Sequence, residues 1–182
     1  MTTATVFWNG PSVKQFYHIP PQPLEIGCNF ILDHRLVHHV CAYDMPTINS
    51  LGDRTHVDVK YWTRRMYASG VWQIFKSTVN HERHRNINGY CSGTMALVLA
   101  LQLGATAIDL LGCDWTITNN SIYDEKYTWR AFPPTKHNKE KFKLFEMLSD
   151  IVPITVVHAQ PREILGNHVH WCKPEDYLAK ID

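Results

Sequence analysis

The chain has 182 residues, 45% of them hydrophobic and 19% charged, with a formal net charge of +1. That composition excludes wholesale disorder, and the charge balance excludes a general nucleic-acid-coating role. Residues 1–182 are expected to form a single domain burying roughly 70% of the unfolded surface. Five scattered cysteines without a CxxC pair, no signal peptide and no apolar run near ~18 residues lead to the expectation of a cytoplasmic protein with reduced thiols.

In chain order, Ala4 to Trp8 is an apolar run that reads as a first strand, closed by Asn9-Gly10-Pro11-Ser12. Pro20-Pro21-Gln22-Pro23 is a stiff connector. Leu24 to Ile26 follows as a second strand ending at Gly27-Cys28-Asn29, and Val40 to Tyr43 as a third ending at Asp44. Asp58 to Ala68 is expected to be helical, and Val71 to Phe75 a strand. Tyr90-Cys91-Ser92-Gly93-Thr94 opens an apolar helix, with Ser92 expected at the N-cap and Gly104 just past the C-terminus. Because that helix is apolar all round, it is expected to pack between layers. Ala107 to Leu111, followed by Gly112-Cys113-Asp114, and Ile154 to Val157 supply further strands. Between them lie a polar, aromatic segment from about 116 to 136, long enough to act as a lid, and an amphipathic helix from about His137 to Ser149. Strands alternating with helices predict an α/β fold: a doubly wound, mostly parallel sheet with a lid segment.

Three polar turns follow three of these strands. Asn9, Gly10 and Ser12, then Asn29, then Ser92, Gly93 and Thr94 bring backbone N–H groups and small polar side chains to one sheet edge. Such edges hold phosphates in α/β proteins. Each turn is also compatible with ordinary chain punctuation, and their combination is what points to a nucleotide. GxxxxGK[ST], GxGxxG and GxSxG are all absent, which argues against P-loop, dinucleotide and serine-hydrolase chemistry.

Histidines are numerous, but no metal site is expected. His34, His38 and His39 lie near Asp33 and Cys41 without a standard ligand spacing. His168, His170 and Cys172 alternate as on a strand, the arrangement most open to zinc, yet too few in ligands. His137 opens a helix directly after the long loop, where an imidazole suits general-base work. Tyr123 and Tyr127 lie in the loop, where they either pack the lid or donate to a departing phosphate.

The order of Asn9-Gly-Pro-Ser12, Cys28-Asn29, Ser92-Gly93 before an apolar helix, and Ile108-Asp-Leu-Leu-Gly112-Cys-Asp114 resembles bacterial lipooligosaccharide sialyltransferases of glycosyltransferase family 42. The resemblance spans most of the chain and is strongest from Thr5 to Ser12 and from Tyr90 to Trp115. It implies a Rossmann-like fold, a variant of GT-A type, and an inverting, metal-independent glycosyltransferase, with CMP-sialic acid as nucleotide-sugar donor, a glycan acceptor, no cofactor and a tendency to form homo-oligomers. It further implies His137 as catalytic base and Tyr123 as a catalytic lid phenol; Tyr127, in the same loop, is a further catalytic candidate on its residue type and position. The donor would be held by Asn9, Gly10, Ser12, Asn29, Asp44, Ser92, Gly93, Thr94, Asp114 and Thr116. Two positions depart from the family pattern: Thr116 lies where a second lid tyrosine is expected, and Asp44 where an asparagine is expected. They leave two alternatives open, a non-catalytic nucleotide-binding module and a transferase using another nucleotide sugar.

Overall fold

The structure is a computed structural model that describes residues 1–43, 47, 51, 56–63, 73–74, 91–114, 144–159 and 168–181. Among the described residues eight strands form one sheet: β1 (Thr3–Phe7), β2 (Leu24–Cys28), β3 (His39–Cys41), β4 (Lys60–Thr63), β5 (Gln73–Ile74), β6 (Ala107–Leu111), β7 (Ile154–Val157) and β8 (Val169–Cys172). Their order is β5-β4-β3-β2-β1-β6-β7-β8, and every neighbouring pair is parallel. This is a Rossmann-like α/β fold.

Parallel strands covered on both faces read as near-continuous apolar runs, and β1 is buried from Ala4 through Phe7. Its period of two divides the core. Ala4, Val6 and Trp8 face one cluster with helix α1 (Ser92–Gln102) and a helical stretch, α2, over 144–149. Phe7 faces the other, which includes Val13 and Phe16 of a 3-10 helix (Pro11–Phe16) and Tyr177 of helix α3 (Pro174–Ile181).

Helix α1 is buried from Ser92 to Ala100, as its all-round apolar sequence predicts. Its C-terminus closes as a Schellman motif: Gly104 N–H donates to Leu101 O and Ala105 N–H to Ala100 O, both at 3.0 Å, with Gly104 at φ +84°. The N-cap is Cys91 and not Ser92, which stands one residue inside. Thr94 at the third helical position accepts the Cys91 N–H at 3.0 Å, forming a capping box.

The helix expected over Asp58 to Ala68 is a strand where it is described. Lys60–Thr63 pairs in parallel with β3, Val40 opposite Tyr61. Lys60 is exposed and Tyr61 buried, so packing on a sheet overrides local helical spacing. The strands expected at Ala4, Leu24, Val40, Val71, Ala107 and Ile154 are all present, within a residue or two. Helix α3 and the 3-10 helix have no counterpart among the sequence-based expectations.

Arg35, stacked over the Phe7 ring, gathers the segment from Tyr17 to Pro20. Its guanidinium meets Glu25 at 2.5 and 3.2 Å and donates to the carbonyls of Tyr17, Ile19 and Pro20 at 3.0, 2.8 and 3.2 Å. Among the described residues no helix is long and apolar enough to cross a membrane.

Candidate functional site

From β1 the strand order runs outward to β5, then returns to β6 on the other side of β1. The reversal between β1 and β6 is a topological switch point, where connections diverge and leave a crevice at the carboxyl ends. Trp8 N–H donates to Leu111 O at 2.8 Å and Gly10 N–H to Gly112 O at 3.0 Å, extending the pairing past both strands. Ser12 then folds back onto Asp114. Its N–H donates to Asp114 Oδ2 at 2.7 Å and its hydroxyl donates to Asp114 Oδ1. His158, directly after β7, sets Nε2 3.3 Å from that same Oδ1.

On the other side of Trp8, Asn29 ends β2 with φ +53°, a left-handed conformation that asparagine tolerates better than most residues. Its N–H donates to Cys41 O at 2.9 Å. Ser92 links this turn to α1: its hydroxyl donates to Asn29 Oδ1 at 2.6 Å and accepts the Tyr43 N–H at 3.1 Å. Trp8 lies over the helix start and donates from Nε1 to Gly93 O at 3.0 Å. A Cβ on residue 93 would stand 2.5 Å from the Trp8 ring, so only glycine permits this approach.

These bonds decide what the crevice can offer a ligand. Ser12 has spent both its N–H and its hydroxyl proton on Asp114, leaving only oxygen lone pairs. Asn9 Oδ1 is buried without a hydrogen-bond partner among the described residues. Both are acceptors suited to hydroxyl or amine groups. Asn29, with its oxygen engaged by Ser92, has its amide nitrogen to donate, and the first turn of α1 adds backbone N–H groups and the positive end of the helix dipole. An acceptor set and a donor set gathered at one sheet edge match a molecule that carries hydroxyls or amines together with an anion, as a nucleotide does.

The structure thus brings Asn9, Gly10, Ser12, Asn29, Ser92, Gly93, Thr94 and Asp114 to one sheet edge. Thr94 is fully buried, with its hydroxyl engaged in the helix cap. The Asp114 carboxyl group is turned toward Ser12 and His158. Asp44, Thr116, Tyr123, Tyr127 and His137 lie outside the described residues, as does the lid expected over 116–136. Among the described residues no cluster of three or more His, Cys, Asp or Glu could hold a metal. His170 is exposed on β8, and His38 and His39 are engaged as acceptors, from Glu25 N–H and Trp62 Nε1–H, each at 3.0 Å. Burial pushes the Cys28 and Cys41 thiols up, so both remain protonated packing groups and not nucleophiles. Sequence reasoning passed over His158 and Trp8. The signal for His158 was its position immediately after a strand, on the edge where ligands bind.

No family model matches the chain, and no curated protein matches it in sequence. Solved structures do match in fold. The sialyltransferase CstII from Campylobacter jejuni, in complex with the substrate analogue CMP-3FNeuAc, superposes with a TM-score of 0.56 at 15% identity, over 94% of this chain and 86% of that one. A CST-II variant in complex with CMP gives a TM-score of 0.55 at 14% identity, over 100% and 85%. The monofunctional alpha-2,3-sialyltransferase Cst-I from Campylobacter jejuni gives 0.54 at 15% identity, over 86% and 75%. This chain is folded like these sialyltransferases.

Proposed function

We propose that this protein is a glycosyltransferase taking CMP-sialic acid as donor and a glycan as acceptor, with inversion and without a metal. The observation that carries this is the switch-point crevice. Asn9, Ser12, Asn29 and the start of α1 surround it with both acceptors and donors, in a fold shared with sialyltransferases. Residues 1–182 act as one nucleotide-sugar-binding unit, with 116–136 as lid.

In this mechanism His137 takes the proton of an acceptor hydroxyl as it attacks the anomeric carbon. Negative charge grows on the departing CMP phosphate, and Tyr123, Tyr127 and Thr116 donate to it together with N–H groups at the start of α1. Asp44 is assigned to donor binding in this reading. General-base catalysis contributes about 10²- to 10⁴-fold, so His137→Ala lowers turnover by that order with CMP affinity retained.

The test is CMP release from CMP-sialic acid in chelator-treated buffer, with and without simple galactosides, for wild type and His137→Ala. Wild-type turnover in the variant overturns the base assignment. CMP binding without release would mark a nucleotide-binding module, and absence of CMP binding overturns the nucleotide assignment itself.

A further inference from the structure

We infer that His158 is a positioning residue of the crevice, acting through Asp114 to fix the hydrogen-bonding sense of Ser12. The inference rests on the proposed nucleotide site and goes beyond it by assigning a residue that the site's own motifs do not contain.

Four elements converge here. His158 follows β7 and is 7% exposed, and its N–H donates to Cys172 O of β8 at 3.0 Å. Its ring stands edge-on to Trp171, centroids 5.9 Å apart at 73°. Its Nε2 lies 3.3 Å from Asp114 Oδ1 beyond β6, and Asp114, also 7% exposed, holds Ser12 beyond β1. Backbone and ring contacts therefore hold His158 in place, its Nε2 stands beside one carboxylate oxygen, and the carboxylate takes both protons of Ser12. A buried carboxylate must be matched by donors. With the imidazole Nε2 3.3 Å from Oδ1, the carboxyl group is held where Oδ2 meets the Ser12 N–H and Oδ1 its hydroxyl. Ser12 then presents lone pairs to the crevice, an acceptor for a sugar or nucleoside hydroxyl or an amine. Without that contact the carboxylate is free to turn, and the Ser12 hydroxyl proton is no longer committed.

The test is a double-mutant cycle read by CMP titration calorimetry. His158→Phe keeps a ring against Trp171 and removes the donor, while His158→Gln keeps a donor. The expectation is that His158→Phe weakens CMP at least tenfold in the wild-type background but less than twofold in Ser12→Ala, and that His158→Gln restores most of the loss. Equal losses in both backgrounds, or no loss, would overturn the assignment, because a merely structural histidine acts independently of the Ser12 hydroxyl. If wild type binds no CMP, the nucleotide proposal fails by itself and imidazole ¹⁵N spectra decide the positioning role. His158 signals that shift on Ser12→Ala support coupling through Asp114, and signals that stay in place refute it.

Discussion

Ser12 and Asp114, 102 residues apart, are joined twice: the Ser12 N–H donates to one carboxylate oxygen at 2.7 Å and its hydroxyl donates to the other. This pair locks the loop after β1 to the loop after β6, across the point where the sheet reverses its order of growth. A hydrogen bond to a charged group contributes about 1.5–3 kcal/mol, and Asp114→Asn replaces one accepting oxygen with a donor. Asp114→Asn is expected to lose stability on that order in urea unfolding. An unchanged midpoint and slope would show that the clasp holds nothing together.

Two glycines, one in the first turn of helix α1 and one just past its C-terminus, are expected to fail for different reasons. Gly93→Ala drives a Cβ to 2.5 Å from buried Trp8, and overpacking of this kind costs about 1–3 kcal/mol. Gly104→Ala meets open space, yet its φ of +84° strains any L side chain, at a cost of about 1 kcal/mol. Both variants unfold at lower temperature, but only Gly93→Ala changes native tryptophan emission. The same spectral change in both would refute the Trp8 contact as its cause.

The Arg35–Glu25 pair is buried, with side chains 8% and 3% exposed. Breaking such a pair by removing one partner costs about 3–5 kcal/mol, because the remaining charge is stranded. Arg35→Ala is therefore expected to be severely destabilised, and Arg35→Lys nearly as much, since an ammonium cannot span two carboxylate oxygens and three carbonyls. The double variant Arg35→Ala with Glu25→Ala should be more stable than the sum of its singles. Strict additivity in denaturant unfolding would contradict the pairing.

His39 gives stability a pH dependence of definite sign. Burial, with Lys60 and His38 nearby, lowers its pKa from 6.5 to about 4, and Trp62 Nε1–H donates to its unprotonated Nδ1. The unfolded chain binds this proton more readily than the folded chain. The contribution is therefore complete above pH 6.5 and is lost as pH falls toward 4, reaching about 3 kcal/mol. His39→Gln should flatten the fall in unfolding free energy between those limits. An equally steep curve in the variant would assign the dependence to other groups.

What was legible in the sequence was local. Apolar runs closed by Gly, Asn or Pro marked the central strands, because a parallel strand buried on both faces admits few polar residues. The stop at Gly104 was equally readable, since a helix leaving through a left-handed residue favours glycine. Asn9, Ser12, Asn29 and Ser92 could be placed on one edge because each directly follows a strand or opens a helix. Tertiary structure decided the rest. Lys60–Thr63 became a strand only by pairing with β3, an energy absent from local spacing. The cap passed to Cys91 because the Ser92 hydroxyl is committed to Asn29, 63 positions away. Which atoms of Ser12 stay uncommitted depends on Asp114, brought there by a separate strand. Strand propensity follows from neighbours in the chain, whereas the direction of a hydrogen bond is set by partners that only the fold brings together.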